Sequence, residues 1–307
     1  MAKVFIDGSA GTTGLRIYER LAQRSDLELI RLPEEVRKDP SARKDAIFSA
    51  DIAFLCLPDA AAIEAVALAE GADTAIIDTS TAHRTNPAWV YGFPELTGLR
   101  EAVKCGKRIA NPGCHASGFI ALVAPLTELG LLKKDAHLSA FSLTGYSGGG
   151  KKMIAEYEAA DRDPLLAAPR MYGLTQQHKH LPEMVKLCGL SAAPVFCPIV
   201  APFYSGMEVT VPVLPSDLNC SPAALAEAYA DYYKNGLVHF CADASEGGFL
   251  SAAAFSGRDD MQITVCGNEE RILLVSRFDN LGKGASGAAI QNMNLLLGAD
   301  EAAGLNV

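Results

Sequence analysis

The stretch Lys3-Val4-Phe5-Ile6-Asp7-Gly8-Ser9-Ala10-Gly11-Thr12-Thr13-Gly14 decides how the rest of the chain is read. Residues 3–7 are a short apolar run that stops at a glycine cluster, which suits a buried parallel strand. Glycines at 8, 11 and 14 allow a tight turn and a close approach of backbone to a pyrophosphate. Residues 15–24 then show helical spacing, with Leu15, Tyr18 and Leu21 on one side. The start of that helix would face the phosphate with free N–H groups and the positive end of its dipole. The spacing is GxxGxxG rather than GxGxxG, so the position at a first strand-to-helix junction strengthens the reading. The expected cofactor loop is therefore Gly8, Ser9, Ala10, Gly11, Thr12, Thr13 and Gly14.

Further strands are expected at 27–32, 51–57 and 74–78, with an alanine-rich helix at 58–70. That β-α-β alternation indicates a doubly wound parallel sheet, a Rossmann-type α/β domain. After about residue 136 the texture changes. Strand-like runs at 137–146, 193–203, 206–214, 260–267 and 270–278 are separated by longer connections. They predict an α+β domain with a mostly antiparallel sheet. Residues 284–298 are small and apolar, then amphipathic, as in a terminal helix.

Composition narrows the function classes. At 307 residues the chain has room for two domains or one large one, and 49% hydrophobic residues supply a sizeable core. Net charge is −9, which argues against a large nucleic-acid or anionic-membrane surface. No apolar run is long enough to span a bilayer, and the start MAKVFIDGSAG does not read as a signal peptide, so a cytoplasmic location is expected. The eight cysteines include no CxxC pair, and most should be reduced and buried.

Where strand two ends, an NAD site usually carries Asp or Glu. This chain has Arg31, with Arg37 and Lys38 nearby, which suits the 2′-phosphate of NADP better. One cysteine stands apart. In Asn111-Pro112-Gly113-Cys114-His115, Pro-Gly makes a turn and Cys114 falls at or near the start of an apolar helix. A helix N-terminus favours the thiolate, and its N–H groups could hold a developing oxyanion. Cys56, Cys197 and Cys266 lie in apolar strand-like runs and read as inert. A nucleophilic thiol beside a nicotinamide site points to aldehyde dehydrogenase chemistry through an acyl-enzyme.

The second polar cluster is Gln176-Gln177-His178-Lys179-His180-Leu181-Pro182-Glu183. Pro182 disfavours helix at Leu181, so an extended or looped segment is expected, with His178 and His180 pointing the same way. One of them could act as general acid/base, oriented by Glu183; the sequence does not separate the two. No third ligand cluster accompanies them, so no metal is expected. His83, His115, His137 and His239 read as isolated, with His83 beside Arg84 a partial exception. The loop 79–84 follows a parallel strand, and its Arg84 could clamp a carboxylate or phosphate. The loop 145–152 is a flexible anion-binding candidate without P-loop spacing. Asn280 and Lys283 precede the last helix, within reach of cofactor phosphates.

Taken together these segments resemble the N-acetyl-γ-glutamyl-phosphate reductase family, in its short variety. They are GSAGTTGLRIYERL at 8–21, DTSTAHR at 78–84, YGFPEL at 91–96, ANPGCHASGF at 110–119, GYSGGGK at 145–151, HKHLPE at 178–183 and DNLGKGASGAAIQNMN at 279–294. Aspartate-semialdehyde dehydrogenases share the layout but typically read Asn-Cys-x-x-x at the cysteine. The resemblance implies an NADP-binding domain of 1–114 plus 284–307, with the last helix returning to it, and a catalytic and dimerisation domain of 115–283. It implies that Cys114 attacks N-acetyl-L-glutamyl 5-phosphate and that NADPH reduces the thioacyl group to the semialdehyde, the third step of arginine biosynthesis. Cys114, His180 and His178 are then the catalytic set. Ser80, Arg31, Asn280 and Lys283 join the glycine loop on NADP, and Arg84, Asn111, Ser147 and Glu183 hold substrate. A homodimer or homotetramer is expected, with no nucleic-acid or membrane partner. A dehydrogenase acting on aspartyl phosphate or a carrier-linked aminoadipyl phosphate is the alternative, and a non-catalytic NADP-binding regulator a third reading.

Overall fold

The glycine loop follows strand β1 (Ala2–Asp7) and opens helix α1 (Thr12–Leu21) in the computed structural model, which describes residues 1–307. The chain continues through β2 (Leu27–Ile30), α2 (Pro40–Phe48), β3 (Ile52–Leu55), α3 (Asp59–Leu68), β4 (Ala75–Asp78), β5 (Val90–Tyr91), α4 (Leu99–Cys105) and β6 (Arg108–Ala110). These strands form one sheet in the order β2-β1-β3-β4-β6-β5, every pair parallel. Strand β1 alternates its side chains between two apolar layers. Val4 and Ile6 pack with Ile17 and Leu21 of α1, and Phe5 packs with Ile47 of α2 and Ala65 of α3. A sheet buried on both faces needs such continuous apolar strands.

Helix α1 starts earlier than its periodicity suggested, and its buried face is Gly14, Ile17 and Leu21. Leu15, placed on that face by the sequence reading, is 41% exposed. The chain leaves β1 toward β2 and returns to β3 on the other side of β1, which makes a topological switch point beside the glycine loop.

Two units are resolved by chain contacts: Met1–Pro112 with Ala285–Leu305, and Gly113–Gly284 with Asn306–Val307. The second holds α5 (Cys114–Glu128), β7 (Ser139–Gly145), α6 (Gly150–Glu158), β8 (Arg170–Met171), α7 (Leu181–Cys188), β9 (Val195–Ala201), β10 (Met207–Val213), α8 (Pro222–Tyr232), β11 (Val238–Phe240), β12 (Met261–Gly267) and β13 (Ile272–Phe278). The last helix, α9 (Gly287–Leu296), belongs to the first unit, where Ile290 and Met293 join the layer around Val4. The second sheet runs β11-β12-β13-β10-β7-β9-β8. Its β11–β12 and β7–β9 pairs are parallel and the other four antiparallel.

Helix α5 is buried all round from His115 to Thr127, as a helix apolar on every face must be. It lies close on the sheet because residue 118 is glycine. A Cβ there would stand 2.5 Å from Val209 and 2.8 Å from Phe278 and Ser276. Pro125 interrupts the α5 ladder, since it has no N–H to give the carbonyl of Ala121. Tyr233, just past α8, donates its hydroxyl to that carbonyl at 2.7 Å, and Tyr229 donates to Leu122 beside it. The sequence therefore supplies from a second helix the donor that the proline removed.

Candidate active site

In the first unit the turn after β1 depends on two glycines. A Cβ on Gly8, whose φ is +85°, would fall 2.2 Å from the Cys56 carbonyl oxygen, and one on Gly14 would fall 2.5 Å from the Gly8 carbonyl oxygen. Gly11 occupies the N-cap of α1, and no side chain caps the helix. The first-turn N–H groups of Thr12, Thr13 and Gly14 therefore remain open to an anion. Beside them is a cavity of about 510 Å³ whose lining includes Gly8, Ser9, Arg31, Arg43 and Leu57. Arg37 and Lys38 line it too. The Arg31 guanidinium rests over the Tyr18 ring at 4.4 Å, and Arg37 pairs with Glu34 at 2.6 Å.

Sequence reasoning missed Arg43, which lies in a segment without clear periodicity. It is buried on α2 and its Nε donates to Asp7 Oδ2 at 2.9 Å. Its Nη2 meets no acceptor within the protein. Burial pushes the Asp7 carboxyl above its usual range even though Arg43 opposes the shift. An uncapped helix start, a glycine turn and an unanswered buried guanidinium N–H together fit a phosphate-bearing dinucleotide.

The loop after β4 is a second knot in this unit. Asp78 accepts from the Ser80 N–H at 2.9 Å and the Ser80 hydroxyl at 2.7 Å, and lies 2.6 Å from His83 Nδ1. The His83 ring stacks on Trp89 at 4.1 Å. Arg84 donates to the carbonyls of Asn111 at 2.9 Å and Thr79 at 3.1 Å, and Asn111 donates to the Ala285 carbonyl at 3.0 Å. Ser80, Arg84 and Asn111 are thus gathered at the carboxyl ends of β4 and β6, where parallel sheets place ligands. Asp78, which anchors the knot, was not singled out from the sequence.

The second unit carries the thiol. Cys114 is the first residue of α5, whose N-cap Gly113 offers no side chain. The Gly113 N–H donates to Glu183 Oε2 at 3.2 Å, which fixes α7 against the start of α5. The expected extended or looped segment ends at His180, and Pro182 does not keep Leu181 out of a helix: α7 begins at Leu181 with Pro182 in its first turn. Proline is tolerated there because first-turn N–H groups have no helical partner. His180 is the N-cap, with Nε2 at 4.0 Å from Glu183 Oε1. The His178 and His180 rings meet edge to face at 4.7 Å, and His178 Nδ1 accepts the His180 backbone N–H at 3.2 Å.

His115 is not isolated, contrary to the sequence reading. Its ring centroid is 5.7 Å from that of His178 and 5.6 Å from that of His180. Its Nδ1 lies 2.6 Å from Ser142 Oγ and its Nε2 2.6 Å from the Tyr172 hydroxyl. Burial, and then the neighbouring His178, push its pKa down to about 3, so this imidazole is neutral. Burial raises the Tyr172 phenol, and Cys114 adds to the rise, which places the two groups in one another's field. Nothing in the spacing announced Ser142 or Tyr172. Elsewhere in the unit, Asn280 donates to Ser147 Oγ at 3.0 Å and accepts the Gly206 N–H at 2.9 Å. Both ends of that amide are therefore engaged by the chain itself. Lys283 is fully buried, and a Cβ on Gly284 would stand 2.9 Å from that of Cys114.

Known proteins resemble this chain in sequence and in fold. Residues 33–104 match the family described as semialdehyde dehydrogenase, NAD binding domain, and residues 114–280 that described as semialdehyde dehydrogenase, dimerisation domain. A Brucella suis protein named N-acetyl-gamma-glutamyl-phosphate reductase is 48% identical, over 96% of this chain and 99% of its own. The Burkholderia cenocepacia protein of the same name is 45% identical, over 98% of each. Among solved structures, Vibrio cholerae aspartate semialdehyde dehydrogenase II superposes with a TM-score of 0.73 at 18% identity, over 97% of this chain and 98% of the other. The Candida albicans aspartate semialdehyde dehydrogenase with NADP gives 0.67 at 15%, over the same shares. At that identity these two show the fold. No helix of the chain is long and apolar enough to cross a membrane.

Proposed function

The chain belongs to the N-acetyl-gamma-glutamyl-phosphate reductase family, and from that premise we propose that it reduces N-acetyl-L-glutamyl 5-phosphate to N-acetyl-L-glutamate 5-semialdehyde, the third step of arginine biosynthesis. The observation that carries the chemistry is Cys114 at the start of a helix that no side chain caps, followed directly by His115, whose ring packs against those of His178 and His180. His180 takes the thiol proton. His178 is the weaker candidate because its Nδ1 lone pair is spent on the His180 backbone N–H, which leaves the ring proton on Nε2. The thiolate adds to the acyl carbon, the C–S bond forms, and the C–O bond to phosphate breaks. The His180 proton goes to the departing phosphate. Glu183, within 4.0 Å of the His180 ring, steadies the imidazolium between those two events. When bound, NADPH supplies the hydride for the acyl carbon. Cys114 then leaves with the C–S electron pair, and the aldehyde is released.

For the cofactor, the loop Gly8–Gly14 takes the pyrophosphate, and Arg31, Arg37, Lys38 and Arg43 offer positive charge to the 2′-phosphate. For the anionic substrate the proposed contacts are Arg84 and Asn111, whose side chains are otherwise held by the carbonyls of Asn111, Thr79 and Ala285. One face of the second sheet leaves Phe141, Val195 and Leu273 exposed, which supports a homodimer or homotetramer built on that face. Eight cysteines, none of them in a disulfide, suit the reducing cytoplasm.

The test is phosphate-dependent reduction of NADP with N-acetylglutamate semialdehyde and, separately, aspartate semialdehyde. Turnover with the first alone, lost without phosphate, is the expected result. Turnover with the second alone would keep the thiol chemistry and overturn the substrate.

A further inference from the structure

Ser142 is fully buried on β7, and its hydroxyl has one hydrogen-bond partner, His115 Nδ1 at 2.6 Å. A hydroxyl must donate somewhere, and a buried donor with no acceptor is the costlier omission than a spare lone pair. Ser142 therefore donates to Nδ1. His115 is neutral, so a lone pair on Nδ1 puts its one ring proton on Nε2. Nε2–H then donates to the Tyr172 oxygen at 2.6 Å, which turns the Tyr172 O–H away from His115. That proton has no other acceptor in the chain; the hydroxyl is held 2.6 Å from the ring of the residue that follows Cys114, and the Tyr172 ring meets that of His178 at 5.9 Å. The relay is a buried serine, a locked imidazole and a phenol with its donor aimed outward.

We propose that Tyr172 is a further catalytic residue, donating its hydroxyl hydrogen bond to the oxygen of the acyl group under attack by Cys114, with Ser142 and His115 as positioning residues that fix the donor's direction. The inference rests on the reading of Cys114 as an acyl acceptor. It adds a side-chain donor where negative charge develops on the acyl oxygen, supplementing the N–H groups at the start of α5.

The test compares two reactions of the same thiol in the intact protein. 4-Nitrophenyl acetate acylates Cys114: the thiolate adds to the ester carbon, charge collects on oxygen, and the C–O bond breaks to release coloured 4-nitrophenolate. Iodoacetamide alkylates Cys114 by displacing iodide, with no oxyanion. In Tyr172→Phe the acylation rate should fall on the order of 100-fold, the usual cost of one oxyanion donor, while alkylation stays within about twofold. Ser142→Ala should lower acylation several-fold, and Ser142→Thr, which keeps the hydroxyl, should restore it. Wild-type acylation no faster than that of Tyr172→Phe overturns the proposal. So does a parallel fall in both reactions, which would assign Tyr172 to the thiolate or to the shape of the site. Neither the natural acyl group nor NADPH takes part in these two reactions. A wrong substrate in the aldehyde assay therefore leaves the ratio of acylation to alkylation, and what it says of Tyr172, unchanged.

Discussion

Replacing Tyr233 by Phe tests how α5, the helix that begins at the nucleophile, survives its own proline. The change removes one oxygen from a buried ring and leaves the Ala121 carbonyl with neither the Tyr233 donor, now 2.7 Å away, nor the N–H that Pro125 lacks. A buried acceptor stranded in this way costs about 2 kcal/mol. For a unit of this size that corresponds to a fall in Tm of about 4–8 °C. The Pro125→Ala background changes the arithmetic. The N–H gained at position 125 faces the Ala121 carbonyl directly, so Tyr233→Phe should there cost only about 0.5 kcal/mol, a coupling of roughly 1.5 kcal/mol. The assay is urea denaturation followed by circular dichroism on wild type, both single variants and the double variant. Alkylation of Cys114 should stay unchanged in Tyr233→Phe, because the lost bond lies two turns along the helix from the thiol. Equal cost in the two backgrounds, or a cost below about 0.5 kcal/mol in the first, would refute the reasoning.

Three further outcomes are expected. Cys114→Ser should abolish reductase turnover and ester acylation while NADPH titrated by fluorescence binds with unchanged affinity; turnover near the wild-type rate would remove the nucleophile assignment. Arg43→Met should destabilise the protein by about 3 kcal/mol by leaving the buried Asp7 carboxylate unpaired, and adding Asp7→Asn should recover most of that loss, so no recovery would count against the pair. His115, neutral in the fold down to about pH 3 and near 6.5 when unfolded, lets the unfolded chain bind a proton that the folded one refuses. Stability therefore falls as pH drops from 6.5 toward 3, and wild type should lose about 1.4 kcal/mol more than His115→Asn between pH 7.5 and 5.5. Equal losses would show that His115 protonates in the fold.

What the sequence made legible was local. The turn at Gly8 to Gly14 follows from backbone room that only glycine leaves, and the strand before it from continuous apolar residues. Cys114 stood out because Pro-Gly precedes it and an apolar helix follows. The exposed side of α1 was misread because Gly14 packs where a larger residue was sought. Pro182 was misread because proline breaks a helix interior and begins a helix start, and neighbouring residues do not tell which. The relay from Ser142 through His115 to Tyr172 was invisible because its members come from β7, α5 and the segment after β8, brought together only by the second sheet and the helix laid on it. Arg43 was hidden for the opposite reason: a lone arginine near several charged residues looks like a solvated one until its aspartate is found beneath the glycine turn.

The stack of His83 on Trp89 gives the protein an optical consequence. Trp89 is the one tryptophan in the chain, so selective excitation of indole reads this loop and nothing else. The imidazole lies 4.1 Å from the indole, close enough to quench it, and Arg84 follows His83 directly in the chain. An anion drawn to Arg84 that shifts the loop changes the overlap of the two rings and with it the emission. Occupancy of the Arg84 loop can thus be followed by the light of an unlabelled protein, with no chemistry at Cys114 required.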